Sequence, residues 1–212
     1  MAFSINSFQN ALPKGGARPS LFQVSIPVPP NVVALSDGTT AAEVATKMAF
    51  TTQATTIPAG TIDPIEVNYF GRIFKLPGGR TFEDWTTTVL NDEDYTVRKG
   101  IEAWMDAING NVTNKESGTG RIGGTAGSVG NGISSWTVPA SVIQFNPQGV
   151  ATRAYTMQNC WPTMITEITL DWAEATAIET FDITWSYSHW ESADIEENTV
   201  NLSVELDLAR SG

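Results

Sequence analysis

One cysteine and one histidine stand among the 212 residues. With Cys160 alone, no intrachain disulfide forms, which fits a reducing compartment. With His189 alone, a two-histidine metal site is excluded and little is left for a Ser-His-Asp triad. Long apolar runs are also missing. None approaches the roughly 20 residues of a membrane span, and the N-terminal MAFSINSFQNALPKGG lacks the apolar core of a signal peptide. The expectation is a soluble protein, made in a cytoplasm and without membrane insertion. Positive charge is scarce: 12 Lys and Arg against 23 Asp and Glu leave a net charge of −11. Affinity for DNA phosphates rests on Lys and Arg displacing counterions, so the chain is a poor DNA ligand. Solubility alone accounts for such a charge. So does a surface that meets DNA without holding it.

What is present is material for a core. Hydrophobic residues make up 41 % and charged residues 17 %, which argues against global disorder. Seven Trp and nine Phe, in a chain rich in Thr, Val and Ile, lean towards β structure. Residues 1–20 read as a polar arm. Leu21 to Ile26 reads as a strand stopped by prolines. Residues 31–46 read as a loop with a short helical turn near Ala41 to Ala45, and Lys47 to Thr56, with its β-branched and aromatic residues, as a strand. Ile65–Phe70 and Arg72–Leu76 read as two strands around Gly71, and Pro77-Gly78-Gly79 as a turn. Thr81 to Leu90 predicts a strand with Glu83, Trp85, Thr87 and Val89 on one face.

The period then changes. Val97, Ile101, Trp104, Met105 and Ile108 fall on one face of a helix. Asn91, Asp92 and Asp94 are candidate caps, and Asn109-Gly110 is a stop signal. Gly100 in its interior costs about 1 kcal/mol relative to Ala, so tertiary packing has to hold this helix. Residues 110–135 are rich in Gly, Ser and Asn and read as a long loop. Strands resume at Ser141–Phe145, Ala151–Cys160, Glu167–Trp172 and 179–190; the last places Phe181, Ile183, Trp185 and Tyr187 on one face. After an acidic stretch, Val200, Leu202, Val204, Leu206 and Leu208 alternate with polar residues as an added strand would.

Chemical motifs are weak. Gly118-Thr-Gly120-Arg-Ile-Gly123 matches GxGxxG, but a dinucleotide site needs a strand before it and a helix after it, and both flanks are more glycine-rich loop. Asp92-Glu93-Asp94 lacks the Gly of a calcium loop, since Val97 stands there. Asn111-Val-Thr113 and Asn201-Leu-Ser203 match glycosylation sequons without any sign of secretion. Glu167, Asp171, Glu174 and Glu179 cluster around Trp172; a solvated acidic face explains them as well as a glycosidase pair does. The abundant Trp also permits a monomeric sugar-binding β-sandwich. Catalytic, cofactor and metal sites are therefore read as none, and the chain is read as not an enzyme.

Four segments together resemble one family. They are Ala17-Arg-Pro-Ser-Leu-Phe-Gln-Val24, Ile57-Pro-Ala-Gly60, Phe70 to Trp85 with its Arg80-Thr-Phe-Glu-Asp-Trp85 block running on to Asn91-Asp-Glu93, and Trp161-Pro-Thr163 followed by Leu170-Asp-Trp172 and the Glu179–Glu191 strand. In this order they are similar to the tail tube proteins of T-even-type contractile phages, over residues 17–28, 50–109 and 150–191. The resemblance implies a mainly β fold: two packed antiparallel sheets, a β-sandwich or barrel-like tail tube fold flanked by one helix. It implies homohexameric rings whose inner sheets join into one β-barrel and which stack into a tube. The implied partners are further copies of the chain, the tail sheath, baseplate and tail terminator proteins, the tape measure protein, and viral DNA passing through the bore unbound. The implied location is the virion, after assembly in the bacterial host cytoplasm. A tube subunit of a bacteriocin or secretion machine is the related alternative.

On that basis the chain is one tail tube domain, 1–212, with its core in 17–109 and 136–191. The inserted loop 110–135, the extension 192–212 and the longer Pro29–Thr46 loop depart from the family pattern. Phe70, Arg72, Phe74 and Lys75 are the candidate ring-stacking residues. Val200, Leu202, Val204 and Leu206 are the candidate added-strand interface.

Overall fold

The structure, a computed structural model, describes residues 4–12, 15–29, 38–110, 136–173 and 176–194. The architecture turns on one long strand, β7 (Ala151–Ile165). Its first half, Arg153 to Gln158, pairs with β6 (Val138–Phe145) on one side and β9 (His189–Asp194) on the other. Its second half, Trp161 to Ile165, pairs with β8 (Thr180–Ser186). β1 (Phe22–Ser25) extends the first group by pairing with β6, and β5 (Trp85–Leu90) and β2 (Thr52–Thr55) extend the second beyond β8. All these pairings are antiparallel. One sheet path therefore folds into two halves, the two packed sheets that the sequence led us to expect.

The fold line is visible in the backbone. Asn159 has φ 57, a left-handed conformation in which Asn is among the better tolerated residues. Opposite it the expected strand 179–190 divides into β8 and β9. There Ser188 donates its N–H to Gln158 O, and Asn159 Nδ2 donates to Ser188 Oγ. Both chains cross from one half to the other at the same corner.

Two helices pack into the core. The α3 helix (Thr96–Ile108) buries Val97, Gly100, Ile101 and Trp104, the face its period predicts. Of the candidate caps, Asp92 serves: its carboxylate accepts from Thr96 N and Thr96 Oγ1. Asn91 instead donates to Glu179 Oε2. The α2 helix (Ala41–Thr51) occupies part of the segment expected as a strand over Lys47–Thr56, so the single flanking helix of the expected fold is corrected to more than one. A capping box starts it. Thr40 Oγ1 accepts from Glu43 N, and Glu43 Oε2 accepts from Thr40 N. Ala41, Val44 and Met48 are then buried at helical spacing. Tertiary burial of that stripe outweighs the β preference of the Thr-rich sequence. A seven-residue helix, α1 (Ile5–Ala11), lies in the N-terminal arm.

Two further expectations fail. Pro77-Gly78-Gly79 makes no turn; it lies inside β4 (Arg72–Thr81), where the register to β3 (Thr61–Tyr69) shifts between Ile62 and Pro64. A Cβ on Gly78 would stand 2.5 Å from Asp63 O, so glycine permits this irregularity. Glu167–Trp172 forms no strand. The ladder to β8 ends at Thr166, which donates its N–H to Asp182 O, and among the described residues no strand pairs with the segment beyond it. Ile168 packs against the core, while Leu170 and Trp172 are exposed.

The core joins both sheet halves and the two helices. Trp85, Trp104 and Trp185 are fully buried, with Trp185 in ring contact with each of the others. Each indole N–H finds an acceptor: Thr56 O, Trp136 O and Thr87 Oγ1 respectively. Lys47 on α2 donates to Asp92 and Thr96 at the start of α3, tying the helices at their polar end. For Asp92, burial pushes the carboxyl pKa up, but the hydrogen bonds from Lys47 and Thr96 outweigh it, and the net result lies below the ordinary value.

Gly100 is where α2 and α3 touch. A Cβ there would stand 2.6 Å from Val44 Cγ1. Helix propensity alone predicts that Gly100→Ala stabilises by about 1 kcal/mol. Overpacking at this contact is expected to reverse the sign, to a loss of about 1–3 kcal/mol. Thermal melting checks this, and Val44→Ala in the same chain should restore part of the loss. Asp92 is charged in the fold at pH values where the unfolded carboxyl is already protonated. Its contribution is complete above the unfolded value of 3.8 and is lost as pH falls through the lowered folded value. Asp92→Asn should cost about 1 kcal/mol at neutral pH, and denaturant melts should show the difference shrinking in acid.

Candidate functional site on the exposed hairpin

Every residue of β3 is exposed, and so is nearly every residue of β4. The two strands pair only with each other, as a ribbon continuing from β2 and leading into β5. Register sorts their side chains. Ile65 faces Leu76, Val67 faces Phe74 and Tyr69 faces Arg72, which puts these six on one side. Pro64 faces Pro77, Glu66 faces Lys75 and Asn68 faces Ile73 on the other. The first side is apolar apart from Arg72, and its five apolar residues are 42–69 % exposed. A two-stranded ribbon is at best marginal in water by itself, and a contiguous apolar face on a soluble protein marks an interaction surface.

The four candidate stacking residues divide on this geometry. Arg72 and Phe74 share the apolar side. Lys75 lies on the opposite side, 3.3 Å from Glu66 as an exposed ion pair. Phe70 sits at the tip with φ 45, followed by Gly71 at φ 80, and its ring meets Tyr69 edge-on at 4.6 Å. The hairpin thus brings Arg72 and Phe74 together with Ile65, Val67, Tyr69 and Leu76. Their alternation about Gly71 was the available signal for these four. Val200, Leu202, Val204 and Leu206 lie outside the described residues, as do Asn111, Asn201, Glu174 and the Gly118–Gly123 motif.

The base of the hairpin is tied down. The Arg80 guanidinium lies 5.1 Å from the Phe82 ring centroid and 5.4 Å from that of Trp190 on β9. Trp190 Nε1 donates to Ala59 O just before β3, and the Trp190 ring meets Tyr155 on β7. These contacts join both ends of the ribbon to the other sheet half and so set the direction in which it leaves the body.

The remaining candidates lack reactive geometry. Cys160 is buried, and burial pushes its thiol up to about 12, so it stays protonated. His189 lies 3.6 Å from Glu191 on β9. Of the acidic cluster near Trp172, Glu179 accepts from Asn91 Nδ2 and Tyr95 OH, a structural tie. Among the described residues no group of three His, Cys, Asp or Glu side chains could hold a metal ion, and no helix is long and apolar enough to cross a membrane.

A family model described as phage tail tube protein matches residues 17–193, a span that includes the hairpin and all the strands up to β9. The chain is 30 % identical over 176 residues to the tail tube protein gp19 of Enterobacteria phage T4, covering 82 % of this chain and 91 % of that relative. Among solved structures it is similar to a chain of the sheath–tube complex of an extracellular contractile injection system, PVC, in the extended state. There the TM-score is 0.51 at 14 % identity, covering 92 % of this chain and 100 % of that one. A chain of the PVC sheath/tube terminator gives a TM-score of 0.52 at 16 % identity, covering 84 % and 96 %. At these identities the two structures show a shared fold.

Arg80→Ala removes both cation–π contacts, worth about 0.5–1 kcal/mol each at exposed sites. The expected outcome is a small change in melting of the body but faster amide hydrogen exchange through 61–81. Unchanged exchange there would show that the base is held by other contacts.

Proposed function

This chain belongs to the phage tail tube protein family, and from that premise we infer that it is the repeating subunit of the inner tube of a contractile phage tail. It is a structural component of the virion and not an enzyme. Copies close laterally into hexameric rings, and rings stack into a tube. The tail sheath surrounds that tube, baseplate and tail terminator proteins meet its ends, and the tape measure protein and then viral DNA occupy its bore. Assembly takes place in the host cytoplasm. The observation that carries this reading is the family match over 17–193. The 30 % identity to a phage tail tube protein favours a phage tail over a bacteriocin or secretion machine.

The hairpin supports the stacking step. Its apolar side is too large to leave wet, and a neighbouring ring is the surface that repeats along a tube. Ile65, Val67, Tyr69, Phe74 and Leu76 supply the buried area, and Arg72 supplies a charged anchor at the tip. Lys75 serves the solvated side, and Phe70 caps the turn. The alternating Val200, Leu202, Val204 and Leu206 are proposed to add a strand to an open sheet edge, on their own subunit or a neighbour.

The double variant Val67→Ser with Phe74→Ser is expected to leave the subunit folded by circular dichroism but to abolish long tubes in negative-stain microscopy. Lys75→Ala should assemble normally. Tubes of ordinary length from the double variant would refute stacking through this side of the hairpin.

A further inference from the structure

We propose that the loop joining β7 to β8, residues 166–179, is the surface on which the hairpin of a second copy of this chain seats, with Arg72 meeting the loop's carboxylates. This rests on the stacking reading above and assigns its counterpart. The loop also leaves large apolar side chains in water: Leu170 is 78 % exposed, Ile178 70 % and Trp172 fully so. Of the alternating face in Glu167–Trp172, only Ile168 packs against the core. Leu170, Trp172 and Ile178, together with Glu167, Asp171 and Glu179, line a concavity of about 670 Å³. Trp, Tyr and Arg are the residues enriched where interface energy concentrates. Trp172 stands on one of the two surfaces, and Tyr69 and Arg72 on the other.

Charge complements the apolar match. No Lys, Arg or His stands between residues 166 and 179. Arg98 reaches the base of the loop, where its Nη1 donates to Thr166 O, but that guanidinium is already met by Glu102 at 2.9 Å. Glu167 and Asp171 are exposed. Asp171 Oδ1 accepts from Ala173 N, which holds the carboxylate beside Trp172. On the hairpin, Arg72 forms no ion pair among the described residues. A guanidinium in an otherwise apolar patch is costly to bury unless the partner surface supplies a carboxylate. This loop supplies three beside three apolar side chains. Copies that each carry a net charge of −11 repel elsewhere, so attraction is confined to the place where a cation faces the acidic loop.

Position makes the pairing repeatable. The hairpin leaves the β7–β8–β5–β2 half-sheet at the end marked by Thr55 and by Trp85, which faces Trp185. The loop leaves it at the opposite end, where β7 stops at Ile165 and Thr180 faces Leu90. The seven residues of β8 separate the two ends by about 20 Å. A contact between different surfaces at opposite ends is heterologous, so each docked copy offers a fresh hairpin or loop to the next and growth stays open. Hairpin against hairpin would be isologous and would stop at a pair.

The test is charge exchange in the full chain. Arg72→Glu and Asp171→Lys, with Glu167→Lys run in parallel, are each expected to raise the concentration needed for tube assembly by about tenfold or more. Light scattering and negative-stain microscopy read this, and circular dichroism should be unchanged. Arg72→Glu and Asp171→Lys combined in one chain are expected to restore assembly, yet this double variant should not elongate from wild-type tubes used as seeds. Trp172→Ala, at a fully exposed side chain, should also raise the assembly concentration. Wild-type assembly by the loop variants overturns the assignment, and so does a double variant that assembles no better than the worse single one. If the loop variants assemble normally while Val67→Ser with Phe74→Ser does not, hairpin stacking stands and the receiving surface lies elsewhere. If the wild type itself forms no tubes, the tube reading fails instead.

Discussion

The backbone of Ala151–Ile165 has to find hydrogen-bond partners along its whole length, and it finds them in two half-sheets. An interior strand that left those groups unpaired would lose far more than any side chain here contributes. The rest follows from that shared strand. It forces a corner at Asn159, which is matched across the gap by the break between β8 and β9 at Ser188. The corner turns the two half-sheets towards one another and encloses the space that Trp85, Trp104 and Trp185 fill. The helices complete the enclosure. They approach so closely at Gly100 and Val44 that a side chain of any size at position 100 has no room.

Against this packed body the hairpin is an imbalance. The same chain that gives the indoles of Trp85, Trp104 and Trp185 acceptors leaves Ile65, Val67, Tyr69, Phe74 and Leu76 in water. In an isolated subunit this is a solubility hazard, offset in part by a net charge of −11 that keeps copies apart at long range. In the stacking proposed above, the apolar side would become short-range attraction at one defined place. Repulsion over distance and attraction at a fitted contact together favour ordered growth over indiscriminate aggregation. The clamp of Arg80 between Phe82 and Trp190 would give that proposed contact its geometry, because an attractive surface on a freely swinging ribbon would not select one neighbour.

Legibility in the sequence followed the strength of the local pattern. The helical period of Val97, Ile101 and Trp104 is unambiguous, and α3 stands where it predicts. The alternation of Trp85, Thr87 and Val89, and of Phe181, Ile183 and Trp185, sorted the two faces of β5 and β8, and the structure buries these sets. The Arg80-Thr-Phe-Glu-Asp-Trp85 block, one of the segments that carry the family resemblance, has physical roles at both ends: Arg80 ties the hairpin and Trp85 anchors the core. The α2 helix was obscured by its threonines, although Thr40-Ala-Ala-Glu43 is a capping box that a closer reading of three-residue spacing would have caught. Pro77-Gly78-Gly79 has turn chemistry but lies in a strand, because the hairpin's turn is already made at Phe70-Gly71 and the glycine serves a register shift.

By itself the sequence determined which family the chain belongs to. The family blocks are local strings that no tertiary context alters. It also determined the inward faces of the strongest elements, since a two-residue or 3.6-residue period is a property of the chain alone. Only the tertiary structure decided which alternating segments became strands. Glu167–Trp172 alternates as well as β8 does, but among the described residues no strand pairs with it. Only the structure sorted Arg72 and Phe74 from Lys75, because facing is set by cross-strand register, and register depends on the turn at Phe70-Gly71. The hydrogen bond from Thr88 to Asp182 was invisible for the same reason: residues 88 and 182 are neighbours only because two strands distant in the chain lie side by side.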